Sequence, residues 1–153
     1  MKSILISLKN EHFYAIINNS KKHEFRKKIP KYKNELLAVI YATKPVGSIK
    51  GYIIFDKAIK GNIEKMVEIQ KNHNYSSEQS VRSYFSNVSD CFALPVKYSR
   101  EIKPISLEFL KKNIPRFTPP QSYMFIKKDN KLWDIFLEKI SKTEKNKILK
   151  FIN

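Results

Sequence analysis

Residues Asn19 to Pro30 read "NSKKHEFRKKIP", one carboxylate set among four lysines, an arginine and a histidine. In extended backbone alternate side chains share a face, so Lys22, Glu24 and Arg26 point one way and His23 and Phe25 the other. Lys21 lies at the end of the preceding segment and is close enough to swing toward the same place. An acid among bases has two chemical uses. Arg26 can hold Glu24 ionised while the cations meet phosphate, or Lys21 and Glu24 can act as an acid/base pair if burial tunes them. The same string also suits a solvated, charged strand edge, and residue types alone leave the choice open.

Other chemistries find little support. Cys91 is the one cysteine and sits in the apolar run "DCFALPV", which excludes an internal disulfide and any multi-cysteine zinc site. His12, His23 and His73 are scattered outside any ligand motif, so no metal is expected. Three glycines cannot build a phosphate-cradling loop, and no Gly-x-Ser-x-Gly elbow exists. Nucleotide hydrolysis and nicotinamide chemistry are thereby set aside, and no cofactor is expected.

Thirty Lys plus Arg against fourteen Asp plus Glu give a formal charge of +16 over 153 residues. An excess of that size repels itself in a compact domain and invites a polyanionic partner. No apolar run approaches membrane-spanning length, and no long helix joins a basic face to a broad apolar one, so a cytoplasmic chain without membrane attachment is expected.

The elements that must position the charged string read as follows. "SILISL" is a strand, and "NEHFYAIINN" a helix with Asn10 as N-cap and Asn18 and Asn19 closing it. "HEFRKK" resumes in extended form. "ELLAVIYAT" and "SIKGYIIFDKAIKG" are strands joined by a Pro45/Gly47 turn, with Gly51 marking a bulge or a close backbone approach. "NIEKMVEIQKNH" is a helix capped by Asn62, and "SSEQSVRSYF" another, with a capping box from Ser76 to Gln79. "CFALPVKYSREI" is a strand interrupted by Pro95, hence an edge or a bulge. "SLEFLKKN" is a short helix capped by Ser106, and a Pro119-Pro120 turn leads to a final strand over Ser122–Ile126. "KLWDIFLEKI" and "EKNKILKFI" form a C-terminal helical hairpin with a capping box from Ser141 to Glu144. The order predicts an α+β fold: a small, mostly antiparallel β-barrel with peripheral helices. The barrel domain is expected over residues 1–128, with a helical extension over residues 129–153 packed on or next to it.

Asn19, Lys21, Glu24 and Arg26 resemble the Gly-x-Lys-x-x-Glu-x-Arg signature of the ASCH domain family, in the PUA-like superfamily, with Asn in place of Gly. "AVIYATKPVGSIKGYIIF", "YFSNVSDCFALPV" and "PPQSYMFI" are similar to its later blocks, in the right order over residues 3 to 126. The resemblance implies a PUA-like barrel with a cleft beside the signature, binding RNA or a modified nucleotide, with RNA favoured over DNA. One branch of the superfamily hydrolyses N4-acetylcytidine and carries a threonine nucleophile where this chain has Glu24. A carboxylate does not inherit a hydroxyl nucleophile's role.

The expected ligand-binding residues are Lys9, Lys21, Lys22, Glu24, Arg26, Lys28, Lys31, Tyr41, Thr43, Gln121 and Ser122, with Tyr84 and Tyr123 as further stacking candidates. Glu24 would accept from a base, and the lysines would meet phosphates. Two other readings stand beside this one. A hydrolase acting on RNA or a modified nucleoside would use Lys21 and Glu24 as its catalytic pair. An adaptor would dock a protein partner through residues 130–153.

Overall fold

The computed structural model describes residues 1–152. Thirteen elements follow one another: β1 (Lys2–Leu8), α1 (Asn10–Ile17), β2 (His23–Arg26), β3 (Leu36–Ala42), β4 (Ser48–Phe55), β5 (Ile59–Gly61), α2 (Ile63–His73), α3 (Glu78–Tyr84), β6 (Cys91–Ser106), α4 (Leu107–Asn113), β7 (Tyr123–Phe125), α5 (Lys131–Glu138) and α6 (Lys142–Ile152). The strands form one sheet in the order β2-β6-β4-β3-β1-β7, with β5 also on β6. Only β1 and β3 run parallel; every other pair is antiparallel. The sheet curls into a half-barrel. None of the helices among the described residues is long and apolar enough to cross a membrane.

Strand β3 is apolar throughout except for the Tyr41 hydroxyl, and β1 is apolar over Ile4–Ile6 and at Leu8, because both of their faces are covered there. Alternation divides them between two cores. Leu5, Leu37, Val39 and Tyr41 face the C-terminal helices, packing with Trp133, Phe136 and Ile148. Ile4, Ile6, Leu36, Ala38 and Ile40 face α1 and its Phe13 and Ile16. A third cluster, with Met66, Val67, Val81 and Phe85, seats α2 and α3 on Cys91 and Ala93 of β6.

Strand β6 makes the curl. Phe92–Pro95 pair with β2, Cys91–Ala93 with β5, and Val96–Ser106 with β4. Pro95 sits at this change of partners instead of on an edge, so the interruption expected from the sequence is a seam inside the longest strand. Gly51 makes the second bend. The β4–β6 register slips beside it, and a Cβ there would stand 2.2 Å from the Arg100 carbonyl oxygen and 2.6 Å from the Phe13 ring. Both readings of Gly51, bulge and close approach, hold.

Two cap assignments shift, and one capping box is half formed. Lys9 is the N-cap of α1 and Asn10 its first residue, with no side-chain cap. Ser77, one residue after the expected Ser76, caps α3 by accepting from the Ser80 amide. Ser141 does accept from the Glu144 amide at 3.1 Å, but Glu144 does not reach back to complete a capping box. Its carboxylate turns inward to the Tyr52 hydroxyl and, at 3.0 Å, the Tyr98 hydroxyl, with Arg100 3.6 Å away. This cluster, with the buried Leu132, Trp133, Ile135 and Phe136, fastens the C-terminal hairpin to the sheet.

Tyr52 is fully buried, so removing its acceptor leaves a hydroxyl with nothing to bond. Glu144→Ala is expected to cost about 1–3 kcal/mol in urea unfolding, and Glu144→Gln less, because the amide oxygen still accepts. Equal stability of Glu144→Ala and wild type would show that the cluster does not hold α6.

Candidate nucleic-acid interface

The charged string acquires its geometry at the end of α1. Asn19 takes a left-handed conformation (φ 66°), which asparagine tolerates as glycine does. The amides of Ser20 and Lys21 then both donate to the Ala15 carbonyl at 2.9 Å, turning the chain sharply under the helix. Lys21 is therefore directed inward and is 7% exposed, and Glu24, three residues later on β2, is 5% exposed.

Both Glu24 oxygens are occupied. Lys21 Nζ lies 2.5 Å from Oε1, and Arg26 donates to Oε2 from Nη2 at 3.0 Å and from Nε at 3.3 Å. Burial by itself would raise the Glu24 pKa, but Lys21 and Arg26 outweigh it and hold the carboxyl below its ordinary value. Arg26 Nη2 also donates to the Ser7 carbonyl at 2.9 Å, which ties β2 to β1 across the open side of the half-barrel. Among the described residues Arg26 Nη1 has no protein partner.

This triad lines a cleft of about 400 Å³, together with Ser7, Leu8, Lys9, His12, Phe25, Tyr75, Ser76, Ser80, Val81, Tyr84 and Phe85. The far wall is α3 and the linker that precedes it. Tyr75, in the linker, and Tyr84, at the end of α3, are 37% and 42% exposed. Lys21 lies 5.5 Å from the Tyr75 ring centre and Lys27 4.9 Å from that of Tyr84. His12 clips the linker to α1, its Nδ1 2.9 Å from the Tyr75 hydroxyl oxygen. Behind the triad, His23 packs against His73 with 4.7 Å between ring centres and the planes tilted by 44°.

Of the residues expected at a binding site, Lys9, Lys21, Glu24 and Arg26 converge on this cleft. Lys22 is exposed and turned away, beside Ile17 and Val96, because β2 begins only at His23. Lys28 and Lys31 stand on the exposed loop that follows, and Lys31 lines a separate depression with Met1 and Tyr32. Tyr41 is buried on the face toward the C-terminal helices, and Thr43 follows it, donating its amide to the Leu8 carbonyl. Gln121 is exposed. Ser122 accepts from the Ser7 amide, so it lies beside β1 next to the cleft's edge. Tyr84 reaches the cleft, whereas Tyr123 packs in the α1-side core. Residue spacing did not point to His12 on α1, or to Tyr75, Ser76 and Ser80, which enter because α3 and the linker before it fold over the signature. The one sequence signal is that Tyr75 and Tyr84 bracket α3.

The fold and the signature define a PUA-like domain of the ASCH type. No family model matches the chain. The ASCH domain-containing ribonuclease of Zymomonas mobilis is 32% identical over 128 residues, covering 84% of this chain and 86% of that protein. The crystal structure of ASCH from Zymomonas mobilis superposes with a TM-score of 0.78 at 31% identity, covering 89% of this chain and 95% of the other. Solved Tyr-to-Phe and Ser-to-Ala variants of that protein match equally well, with a TM-score of 0.78 for each. The chain belongs to the ASCH domain family.

Burial first, and His73 next, lower the His23 pKa to about 4 from 6.5. Between those values the unfolded chain binds a proton that the folded chain does not. This contribution to stability is complete above pH 6.5 and is lost as pH falls toward 4. Glu24, also depressed, adds a loss below its ordinary value of 4.5. The thermal midpoint is expected to drop across pH 6.5 to 4, and His23→Gln to flatten that drop; an unchanged slope in the variant would contradict the assignment.

Proposed function

We propose that this protein binds RNA, admitting one unpaired nucleotide to the cleft, and cleaves the chain there. The observation that carries the reading is the cleft floor, where two cations share one carboxylate whose oxygens are both taken. What is left for a ligand is positive: the remaining Lys21 donors, Arg26 Nη1 and the rim residue Lys9. Such a floor suits a phosphate better than the amino edge of a base. A cleft of about 400 Å³ is on the scale of small-ligand sites, and the exposed faces of Tyr75 and Tyr84 suit an unstacked base. Lys28 and Lys31 lie outside the cleft, where they would extend the positive surface along neighbouring phosphates.

Cleavage is supported by the relative's being a ribonuclease that this chain matches over 86% of its length. The tyrosine and serine replaced in the solved Zymomonas variants are separated in sequence as Tyr41 and Ser122 are here. In this fold both flank Ser7. Tyr41 stands opposite it on β3, and the Ser122 backbone carbonyl accepts from its amide on the other side. Ser7 itself lines the cleft, and its carbonyl holds Arg26. Among the described residues no partner bonds the Tyr41 hydroxyl, and burial raises its pKa, so it stays protonated and able to donate. Neither residue lines the cleft, so the pair would act through Ser7, fixing the strand whose carbonyl holds Arg26, with the scissile phosphodiester on the triad itself.

RNA affinity measured by fluorescence anisotropy is expected to fall at least tenfold between about 50 and 200 mM salt. Lys9→Ala combined with Tyr84→Ala should weaken it further without a change in circular dichroism. Absent or salt-insensitive binding would remove the whole reading. Tyr41→Phe and Ser122→Ala should each slow cleavage of a labelled RNA while leaving binding in place. If the wild type, at high concentration and with or without Mg²⁺, cuts no RNA, binding stands alone and cleavage is withdrawn.

A further inference from the structure

We propose that His12 is the base that removes the 2′-hydroxyl proton when RNA is cut in this cleft, with Tyr75 as its positioning residue. The inference rests on the RNA-cleaving reading above. The cleft's other candidates for a base are engaged or unsuited. Glu24 has both oxygens bonded to its own cations, and Lys9, Lys21 and Arg26 offer cationic donors. Burial keeps Tyr75 and Tyr84 above the ordinary tyrosine value, so they remain phenols. His12 is half-buried, lines the same cleft as the triad, and is held by a single contact, Nδ1 to the Tyr75 oxygen at 2.9 Å. With the proton on Nδ1, that bond runs from the imidazole to Tyr75 and leaves the Nε2 lone pair unengaged. Burial first, and Lys21 next, lower the His12 pKa, which keeps the ring neutral and basic near pH 7.

The step balances without a co-reactant. His12 Nε2 takes the 2′-hydroxyl proton as O2′ forms a bond to phosphorus. The P–O5′ bond breaks, and the departing O5′ takes a proton from the Lys21 ammonium. The products are a 2′,3′-cyclic phosphate and a 5′-hydroxyl end. Arg26 Nη1 and Lys21 stand on the floor to offset charge on the phosphorane. The imidazolium then releases its proton to water, and Lys21 recovers one. Tyr75 comes from the α2–α3 linker, so the same segment that walls the cleft also aims the base.

The test uses the full chain and a labelled RNA, in parallel with the same RNA carrying a single 2′-O-methyl group at the cut site. His12→Gln is expected to lower kcat about 100-fold or more, the usual worth of a general base, with anisotropy on the methylated RNA unchanged. The acid limb of the wild-type pH–rate profile should vanish in that variant. Tyr75→Phe should produce a smaller fall in kcat and move the limb, and the methylated RNA should resist cutting by wild type. Cyclic-phosphate ends on the products complete the expected result. Cleavage by His12→Gln at the wild-type rate, cutting of the methylated RNA, or 5′-phosphate products would overturn the proposal while leaving RNA cleavage itself in place. A wild-type protein that cuts no RNA would remove both together.

Discussion

A buried carboxylate is the constraint around which this protein is arranged. Glu24 is 5% exposed, and an ion so placed is tolerated only when its oxygens are fully bonded by opposite charge. Two cations meet that need from different directions. Lys21 reaches it because the Asn19 turn tucks the chain beneath α1, and Arg26 because β2 is extended for four residues. Arg26 then continues to the Ser7 carbonyl. Strands β2 and β1 are far apart in the sheet order, so this bond spans the opening of the half-barrel. One ionic cluster thus settles the local turn, links distant strands and forms the floor of the cleft.

The same cluster decides what the cleft presents. A lone glutamate in this position would have offered acceptors to a base. Paired with two cations it offers donors and a net positive charge, on a chain whose formal charge is already +16. The two exposed tyrosines supply the apolar half of the surface, each with a lysine near its ring. The dispersed lysines set the charge of the surface, whereas the shape of the cleft comes from α3 and the linker before it, within the connection between β5 and β6.

Support for this arrangement comes from the opposite side of the sheet. The C-terminal hairpin covers one face with Trp133, Phe136 and Ile148, and Glu144 anchors it to Tyr52 and Tyr98. With that face closed, Tyr41 lies in a packed core at the end of β3, beside Ser7. Among the described residues buried carboxylates appear twice, once held by two cations and once mainly by hydroxyls, with Arg100 3.6 Å away. The first borders a cleft, and the second fastens a helix.

Local pattern carried much of the fold. Apolar runs, the Asn19 turn, the Asn62 and Ser106 caps and the special role of Gly51 all depend on residues near in sequence, whose steric and hydrogen-bonding preferences act over a few bonds. The Lys21, Glu24 and Arg26 signature was legible for the same reason, since turn and strand geometry alone bring the three together. What lay beyond the sequence depended on partners far along the chain. Pro95 became a seam because β6 changes neighbours there, and Glu144 left its cap because Tyr52 and Tyr98 were within reach. Lys22 turned away, while His12 and Tyr75 met across 63 residues. A sequence determines which side chains are available and how each short segment bends. Only the packed tertiary structure decides which of them share a cavity, because that depends on burial and charge balance summed over the whole chain.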